Sequence, residues 1–223
     1  MLFDLENDIE EVLSTFPKLN YNGKELIGEI DIFDKEDNYC SSFNIKVLLS
    51  NNYPYEFPIL YESGNDIPHI IDRHIGHDGS CCVCVTQEED IRKSRGITIK
   101  EFMSEYVVPF FANQTYFDLN NGTWANGEYQ HGYNGFAQYY QELFHTQDIN
   151  IILNGFKYFF SKSLKSYEKC FCGSGLKYKK CHLKTHIEMS KISLERLKED
   201  YEYLNCRALY INYSLNRRYG EKL

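Results

Sequence analysis

Six of the eight cysteines are grouped in two short segments, and this grouping most limits what the chain can fold into. One group lies within residues 81–84 and the other within residues 170–181. Neighbouring cysteines rarely form a mutual disulfide, because the two Cα atoms must lie about 4.4–6.8 Å apart with suitably directed side chains. A disulfide scaffold is therefore not expected. Clustered cysteines in a chain without a secretory signal indicate metal binding and catalysis instead.

The hydrophobic content favours a packed protein outside the membrane. Hydrophobic residues make up 43% of the 223 residues, and aromatic residues make up 16%, which is ample for a core. No apolar run approaches the roughly 20 residues that a membrane-spanning helix needs. The sequence begins M-L-F-D-L-E-N-D-I-E-E, which is acidic where a secretory signal is basic. We therefore expect a cytoplasmic protein with no membrane partner.

Charge divides the chain into an acidic and a basic part. Residues 1–149 contain 9 Lys and Arg against 25 Asp and Glu, a net charge of −16. Residues 150–223 contain 15 against 7, a net charge of +8. Such asymmetry indicates regions with different partners or with a mutual electrostatic contact. Two solvated surfaces of opposite sign would give the same pattern.

The hydrophobic pattern of the first half predicts an α+β fold. Apolar residues at helical spacing predict an amphipathic helix over residues 3–16, which Pro17 ends. Alternating polar and apolar residues predict three strands, at Glu25–Phe33, Ser42–Leu49 and Phe57–Tyr61. These strands would form an antiparallel meander that is followed by a long loop.

The second half is predicted to be largely helical. Thr98 can cap a helix, which Pro109 should bend or end. The segment that starts at residue 113 is rich in Asn, Gly and Tyr, and it predicts an ordered loop up to about Asn134. Further helices are predicted over the ranges 134–145, 149–164 and 183–217.

The segment from Tyr53 to Cys84 contains the candidate catalytic residues. It joins a Pro-punctuated strand, a His-rich loop and a Gly turn that ends in cysteines, and such a loop can expose a nucleophilic thiolate. Cys82 is the first candidate nucleophile and Cys81 the second, since Cys81 can instead pack as a small apolar residue. His74 and His77 flank the Gly turn, where they can polarise the thiol or donate to an oxyanion.

Other interpretations of these residues stay open. Arg73 would add positive potential that lowers the pKa of a nearby cysteine. His74 can equally be a loop histidine that bonds to the main chain. A metal site formed by His74, His77, Cys82 and Cys84 is a further alternative.

A later segment, W-A-N-G-E-Y-Q-H-G-Y-N-G, can cover the cysteine groove. Trp124 would anchor this cover, and His131 would supply a second polar group. An ordered loop that is packed by its own aromatic side chains explains the same composition.

The order and spacing of these features resemble the ubiquitin-conjugating enzyme superfamily over about residues 1–145. The resemblance rests on Y-P-x-x-x-P after a strand, a loop with His, and G-x-x-C, here Gly79-Ser80-Cys81-Cys82. Asp72-Arg73-His74 stands where the family has His-Pro-Asn. His74 therefore takes the place of the Asn to which oxyanion binding or loop ordering is credited. The fold implied is an N-terminal helix, a four-stranded antiparallel meander and C-terminal helices.

The resemblance also implies an activity. The departure at His74 is typical of the divergent bacterial branch, some of whose members belong to anti-phage operons of the CBASS type. Such an enzyme would form a Cys82 thioester with the C-terminus of a partner protein, here a cGAS-like nucleotidyltransferase that makes cyclic nucleotides. It would then transfer that C-terminus to an amine of a target protein. No adenylation domain or ATP-binding Gly loop is evident in the sequence, so activation would come from elsewhere, or the enzyme would act without a dedicated activating partner.

Two non-enzymatic functions compete with this transferase interpretation. One is a binding module that holds a ubiquitin-like tail without catalysis. The other is nucleic-acid binding by the basic C-terminal region, against which the acidic balance of the whole chain argues.

The second cysteine group predicts a metal site. Cys170, Cys172, Cys181 and His182 supply four ligands around a tight Gly-Ser-Gly turn, a set that suits Zn²⁺ in a closed, structural, tetrahedral site. The pattern resembles the SEC-C motif, named for the end of the SecA translocation ATPase, in all four ligand positions. We therefore expect structural Zn²⁺ as the cofactor.

The sequence thus predicts two domains. Residues 1–148 would form the ubiquitin-conjugating-like domain, and residues 149–223 a helical region with the SEC-C motif at 170–182. Around this motif, four lysines form a basic face for an acidic partner or for the acidic first domain: Lys177, Lys179, Lys180 and Lys184. A structural clip that orders the C-terminal helix is the simpler role.

Overall fold

The computed structural model describes residues 4–125, 133–161 and 165–219. The chain divides into two compact units, Met1–Glu128 and Tyr129–Leu223. The division falls earlier than residue 148, so the helix predicted over 134–145 belongs to the second unit. Over the described residues, no helix is both long enough and apolar enough to cross a bilayer.

The first unit begins with helix α1 (Leu5–Thr15), whose N-cap Asp4 accepts a hydrogen bond from the N–H of Asn7. A four-stranded antiparallel sheet follows, in which each strand pairs with the next along the chain. Its strands are β1 (Leu19–Tyr21), β2 (Glu25–Phe33), β3 (Tyr39–Leu48) and β4 (Ile59–Glu62). The predicted α+β class and antiparallel meander are therefore confirmed.

Short helices complete the first unit. A 3₁₀ turn at Ile71–Arg73 comes first, and α2 (Thr86–Arg95) lies in what the sequence predicted to be loop. The remaining elements are α3 (Ile99–Phe102), a π-helical segment (Met103–Val107) and α4 (Val108–Leu119).

The prediction that Pro109 bends or ends the helix that Thr98 caps was wrong about the end. Thr98 does form a capping box with Glu101, but helical structure continues to Leu119. Pro109 lies in the first turn of α4, directly after the π segment, where a missing N–H is tolerated. The predicted loop from residue 113 therefore begins only after α4.

The core of the first unit lies between one face of the sheet and the helices. Period-2 alternation places Ile30, Ile45 and Leu60 on the buried face, as the strand pattern requires. On the helical side, the ring of Phe111 in α4 stacks on Phe43 with centroids 4.7 Å apart. This packing fixes α4 against the sheet.

The second unit is helical, with α5 (Tyr133–Phe144), α6 (Ile149–Ser161), α7 (Leu183–Met189) and α8 (Leu194–Tyr219). Tyr140 is fully buried and donates a hydrogen bond to Asp200 Oδ2 at 2.6 Å. The prediction of a single helix over 183–217 was wrong, because the helical structure is interrupted between α7 and α8. There, Ser193 caps the start of α8, since its Oγ accepts a hydrogen bond from the N–H of Arg196.

Candidate functional site

The cysteine turn, residues 79–84, is attached to strand β4. Glu62 N–H donates to the carbonyl of Gly79 at 2.9 Å, and Cys81 N–H donates to the carbonyl of Leu60 at 2.8 Å. Tyr61 and Ser80 form an antiparallel bridge between these two bonds. The start of the cysteine turn is therefore held beside β4 through this isolated bridge.

A buried carboxylate organises the loop that precedes this turn. The Glu62 side chain is fully buried, and its oxygens accept hydrogen bonds from Gly64 N–H (2.8 Å) and Asn65 N–H (3.0 Å). His69 Nε2 lies 2.6 Å from Glu62 Oε2. The sequence pattern did not single out Glu62. The alternation of β4 places this acidic residue on the buried face, and that position is the feature that could have identified it.

Gly79 is required where the turn meets this loop. Its φ of +85° favours glycine, and a Cβ there would lie 2.7 Å from the carbonyl oxygen of Glu62 and 3.2 Å from His69 Cε1. Close approach of the turn to β4 therefore depends on the absence of a side chain at residue 79.

The three thiols of the turn differ in exposure. Cys82 is exposed, whereas Cys81 and Cys84 are partly buried and pack against the core. The N–H of Cys82 donates to the carbonyl of His74 at 2.8 Å. The first candidate nucleophile and the histidine predicted to assist it are therefore joined through the main chain.

The pKa values of these thiols shift in the direction opposite to the expected one. Although Cys82 is exposed as a residue, neighbouring atoms partly desolvate its sulfur, which raises the pKa of the thiol, and the negative charge of Glu89 raises that pKa further. Burial also raises the pKa of Cys81, to about 12, and that of Cys84. In all three groups the shift favours the neutral thiol over the thiolate.

Arg73 does not supply the positive potential that the sequence suggested. Its guanidinium is buried, and Nη1 lies 2.9 Å from Asp118 Oδ1 in an ion pair. The charge is therefore compensated within the unit, and this expectation for Arg73 was wrong.

The other predicted residues of this region take different positions. His77 is exposed. His74 has a left-handed backbone conformation (φ 54°), and its ring centroid lies 5.8 Å from that of Trp124 in an edge-to-face arrangement. Trp124 thus lies beside the predicted site, while His131 falls outside the described residues.

The four predicted metal ligands converge in the second unit. The ligand atoms of Cys170, Cys172, Cys181 and His182, called the Cys–His cluster below, all lie within 4.8 Å of one another. His182 Nδ1 is 3.2 Å from the sulfurs of both Cys170 and Cys181, and the sulfurs of Cys172 and Cys181 are 3.5 Å apart. A tetrahedral Zn²⁺ site has ligand–ligand edges of about 3.5–3.8 Å, so the donor set fits such an ion.

Local turns deliver these ligands to one point. Gly173 and Gly175 have φ angles of +78° and +76°, which allow the chain to reverse between the two ligand pairs. The N–H of Cys170 donates to the carbonyl of Leu176 at 2.8 Å and closes that reversal. A 3₁₀ turn, Tyr178–Lys180, then places the second pair at the start of α7.

The histidine ligand is oriented by a main-chain contact. His182 Nε2 lies 3.3 Å from the carbonyl oxygen of Phe144, which leaves Nδ1 to face the three sulfurs. Metal-ligating histidines are commonly fixed in this way through their other nitrogen. Burial lowers the pKa of His182, which favours the neutral imidazole that a metal requires.

The alternative metal site at the cysteine turn is not formed. Among the residues that the structure describes, the Cys–His cluster is the group of metal-ligating side chains that converges. The side chains of His74, His77, Cys82 and Cys84 do not converge in this way.

The predicted basic face near the Cys–His cluster is exposed at all four of its lysines: Lys177, Lys179, Lys180 and Lys184.

Comparison with known families bears on the second unit only. The SEC-C motif matches residues 168–184, a range that includes all four cluster residues. The match and the convergent ligand atoms together support metal binding at this position. No curated protein and no solved structure matches the chain.

Proposed function

We propose that the chain is a cysteine transferase of the ubiquitin-conjugating kind, with Cys82 as the nucleophile. The acyl group would be the C-terminus of a partner protein, and the acceptor an amine of a target protein. For the donor we propose a cGAS-like nucleotidyltransferase, in anti-phage defence of the CBASS type. Donor, acceptor and defence role rest on the sequence resemblance alone.

The order of elements in the first unit supports this proposal. Helix α1, the β1–β4 meander, a long loop, the cysteine turn and the later helices follow one another as the resemblance implies. A shared element order does not define an activity, which depends on the chemistry of the site.

The observation that carries the proposal is the position of Cys82. Its side chain is exposed at the end of the turn, and its N–H is bonded to the carbonyl of His74 at 2.8 Å. Residue 74 is the one that the resemblance assigns to oxyanion binding or loop ordering. An accessible nucleophile beside such a group is what acyl transfer requires.

The raised pKa of Cys82 defines the proton transfers in the proposed reaction. Cys82 sulfur attacks the carbonyl carbon of a donor thioester and loses its proton. The donor sulfur departs and takes up a proton, so the exchange is neutral overall. In the second step the acceptor amine attacks the same carbon, the bond to Cys82 sulfur breaks, and the proton released by the amine returns to that sulfur.

For the second unit we propose structural Zn²⁺ as the bound metal. Three thiolates and one imidazole are soft or borderline ligands for a metal ion. Four protein ligands would fill the tetrahedral coordination of Zn²⁺ and leave no coordination position for a substrate, as in structural sites. When bound, the ion would crosslink the 170–172 and 181–182 segments. No step of the transfer reaction involves it.

A synthetic peptide α-thioester, with the C-terminal sequence of the donor, tests the transferase proposal without an activating enzyme. Intact-mass spectrometry should detect one acyl adduct on the wild-type chain, and dithiothreitol should remove it. Cys82→Ala should abolish the adduct. Cys40→Ala, which removes another exposed cysteine, is the matched control and should retain it.

An adduct that persists unchanged in Cys82→Ala would exclude Cys82 as the nucleophile. The raised pKa of all three thiols specifically favours the non-catalytic binding module as the second candidate. That module would bind the donor peptide with equal affinity in the wild type and in Cys82→Ala, and neither would form an adduct.

A further inference from the structure

We infer that Arg73 is a positioning residue, which acts through Gln114 and Phe117 of α4 to hold His74 against Cys82. The inference rests on the proposed function for its catalytic meaning. Its physical basis is a set of contacts between the loop and the last turns of α4.

Arg73 and Gln114 form a reciprocal buried pair. Arg73 Nε donates to Gln114 Oε1 at 2.7 Å, and Gln114 Nε2 donates to the carbonyl of Arg73 at 2.9 Å. The two residues are 7% and 1% exposed. Because Gln114 binds both the side chain and the main chain of Arg73, it fixes the path of the loop as well as the guanidinium.

Two further contacts stabilise the buried guanidinium. Nη1 pairs with Asp118 Oδ1 at 2.9 Å, and the central carbon of the guanidinium lies 4.5 Å from the ring centroid of Phe117. An ion pair together with a cation–π contact offsets part of the cost of burying this charge, whereas Nη2 is buried without a hydrogen-bond partner among the described residues. Lysine has no planar fork with which to make these contacts simultaneously.

The next residue, His74, is held from two sides. Its carbonyl accepts the N–H of Cys82 at 2.8 Å. Its ring contacts Trp124 at 5.8 Å, and the Trp124 ring lies 4.4 Å from that of Phe117. Phe117 therefore touches both the guanidinium before His74 and the indole that packs on its ring.

The conformation of His74 explains why such an anchor is needed. A non-glycine residue at φ 54° persists only where its surroundings hold it. If the anchor is weakened, His74 can relax, and its carbonyl then moves away from the N–H of Cys82. The amide of Cys81 does not depend on this contact, because it is bonded to Leu60 of β4.

Amide hydrogen exchange by NMR on the whole 223-residue chain tests this directly. Gln114→Met keeps the length of the side chain and removes both hydrogen bonds to Arg73. In this variant, exchange of the Cys82 amide should accelerate by at least about tenfold, while the Cys81 amide changes by less than about twofold. Thr115→Val is the matched control, because Thr115 lies on the same helix and bonds instead to Ser41 and Phe111.

A second variant and a second readout complete the test. Asp118→Asn keeps the side-chain shape, and it should also accelerate hydrogen exchange of the Cys82 amide, but by less than Gln114→Met does. This variant provides the test if Gln114→Met does not fold. Acyl transfer from the peptide thioester to Cys82 should slow by about tenfold in Gln114→Met.

The outcomes separate the two proposals. Equal acceleration of the Cys81 and Cys82 amides, or acceleration of neither, would overturn the positioning role. If the selective acceleration occurs but the wild-type chain forms no adduct, the contact stands and the transferase proposal fails.

Discussion

The two cysteine groups look alike in sequence and differ in space. In the Cys–His cluster, four ligand atoms converge within 4.8 Å because glycines and a 3₁₀ turn reverse the chain between them. In the cysteine turn only the start of the segment pairs with β4, and one thiol is exposed while two are partly buried. Close spacing along a chain therefore produces a metal site only where turns return it to one point.

Removal of the proposed Zn²⁺ should have the largest effect and should act on the second group alone. Structural Zn²⁺ contributes an apparent folding free energy of about 10–16 kcal/mol in small zinc domains. We expect chelation by 1,10-phenanthroline to remove amide protection across residues 168–184 and to leave that of β2 and β3 unchanged. Hydrogen-exchange mass spectrometry, with metal content measured in parallel, checks this.

A Cys181→Ala variant should lose the metal, whereas Cys206→Ala, an exposed cysteine of α8, should retain it. Full protection of residues 168–184 after complete metal loss would show that the cluster needs no ion to fold.

Thiol labelling should separate the members of the first group. At pH 8, iodoacetamide should modify Cys82 at least about tenfold faster than Cys81, because thiolate is the reacting form. Cys81 is less exposed, and its pKa is raised to about 12. Both rates should rise with pH, since a raised pKa leaves little thiolate below pH 8. Peptide mapping by mass spectrometry measures both sites, and equal rates would remove the basis for choosing Cys82.

The smallest effect concerns the charge beside Cys82. Because the negative charge of Glu89 raises the pKa of this thiol, Glu89→Gln should lower that pKa and increase the thiolate fraction at pH 7. Labelling of Cys82 at pH 7 should accelerate by about two- to fivefold, and its pH profile should move to lower pH. Glu10→Gln makes the same charge change on α1 and should have no effect; a profile that does not move in Glu89→Gln would contradict the assignment.

Regular elements with a clear periodicity could be predicted from the sequence. Glu25–Phe33 was predicted with its observed bounds, because strict alternation marks a half-buried strand. Helix α2 was missed, since it is polar and short and its apolar pattern is weak. The extension of α4 past Pro109 was also missed, because a π segment in front of a proline leaves no signature in the residue pattern.

The two candidate sites differ in the same way. The Cys–His cluster could be predicted in full because a fixed ligand spacing encodes the geometry itself. The sequence suggested Cys82 and His74 but not Gln114, which lies far along the chain and meets Arg73 only through the packing of α4. The shifted pKa values likewise depend on burial and on Glu89, which spacing alone does not reveal.

The bridge between Tyr61 and Ser80 has a consequence for solubility. Strand β4 is at the margin of the sheet, where unpaired backbone groups invite another chain to add on. Residues 79–81 cover part of this sheet edge and so hinder the addition of a strand from another molecule. Any event that lifts the cysteine turn from β4 would therefore uncover a surface on which copies of the protein can self-associate.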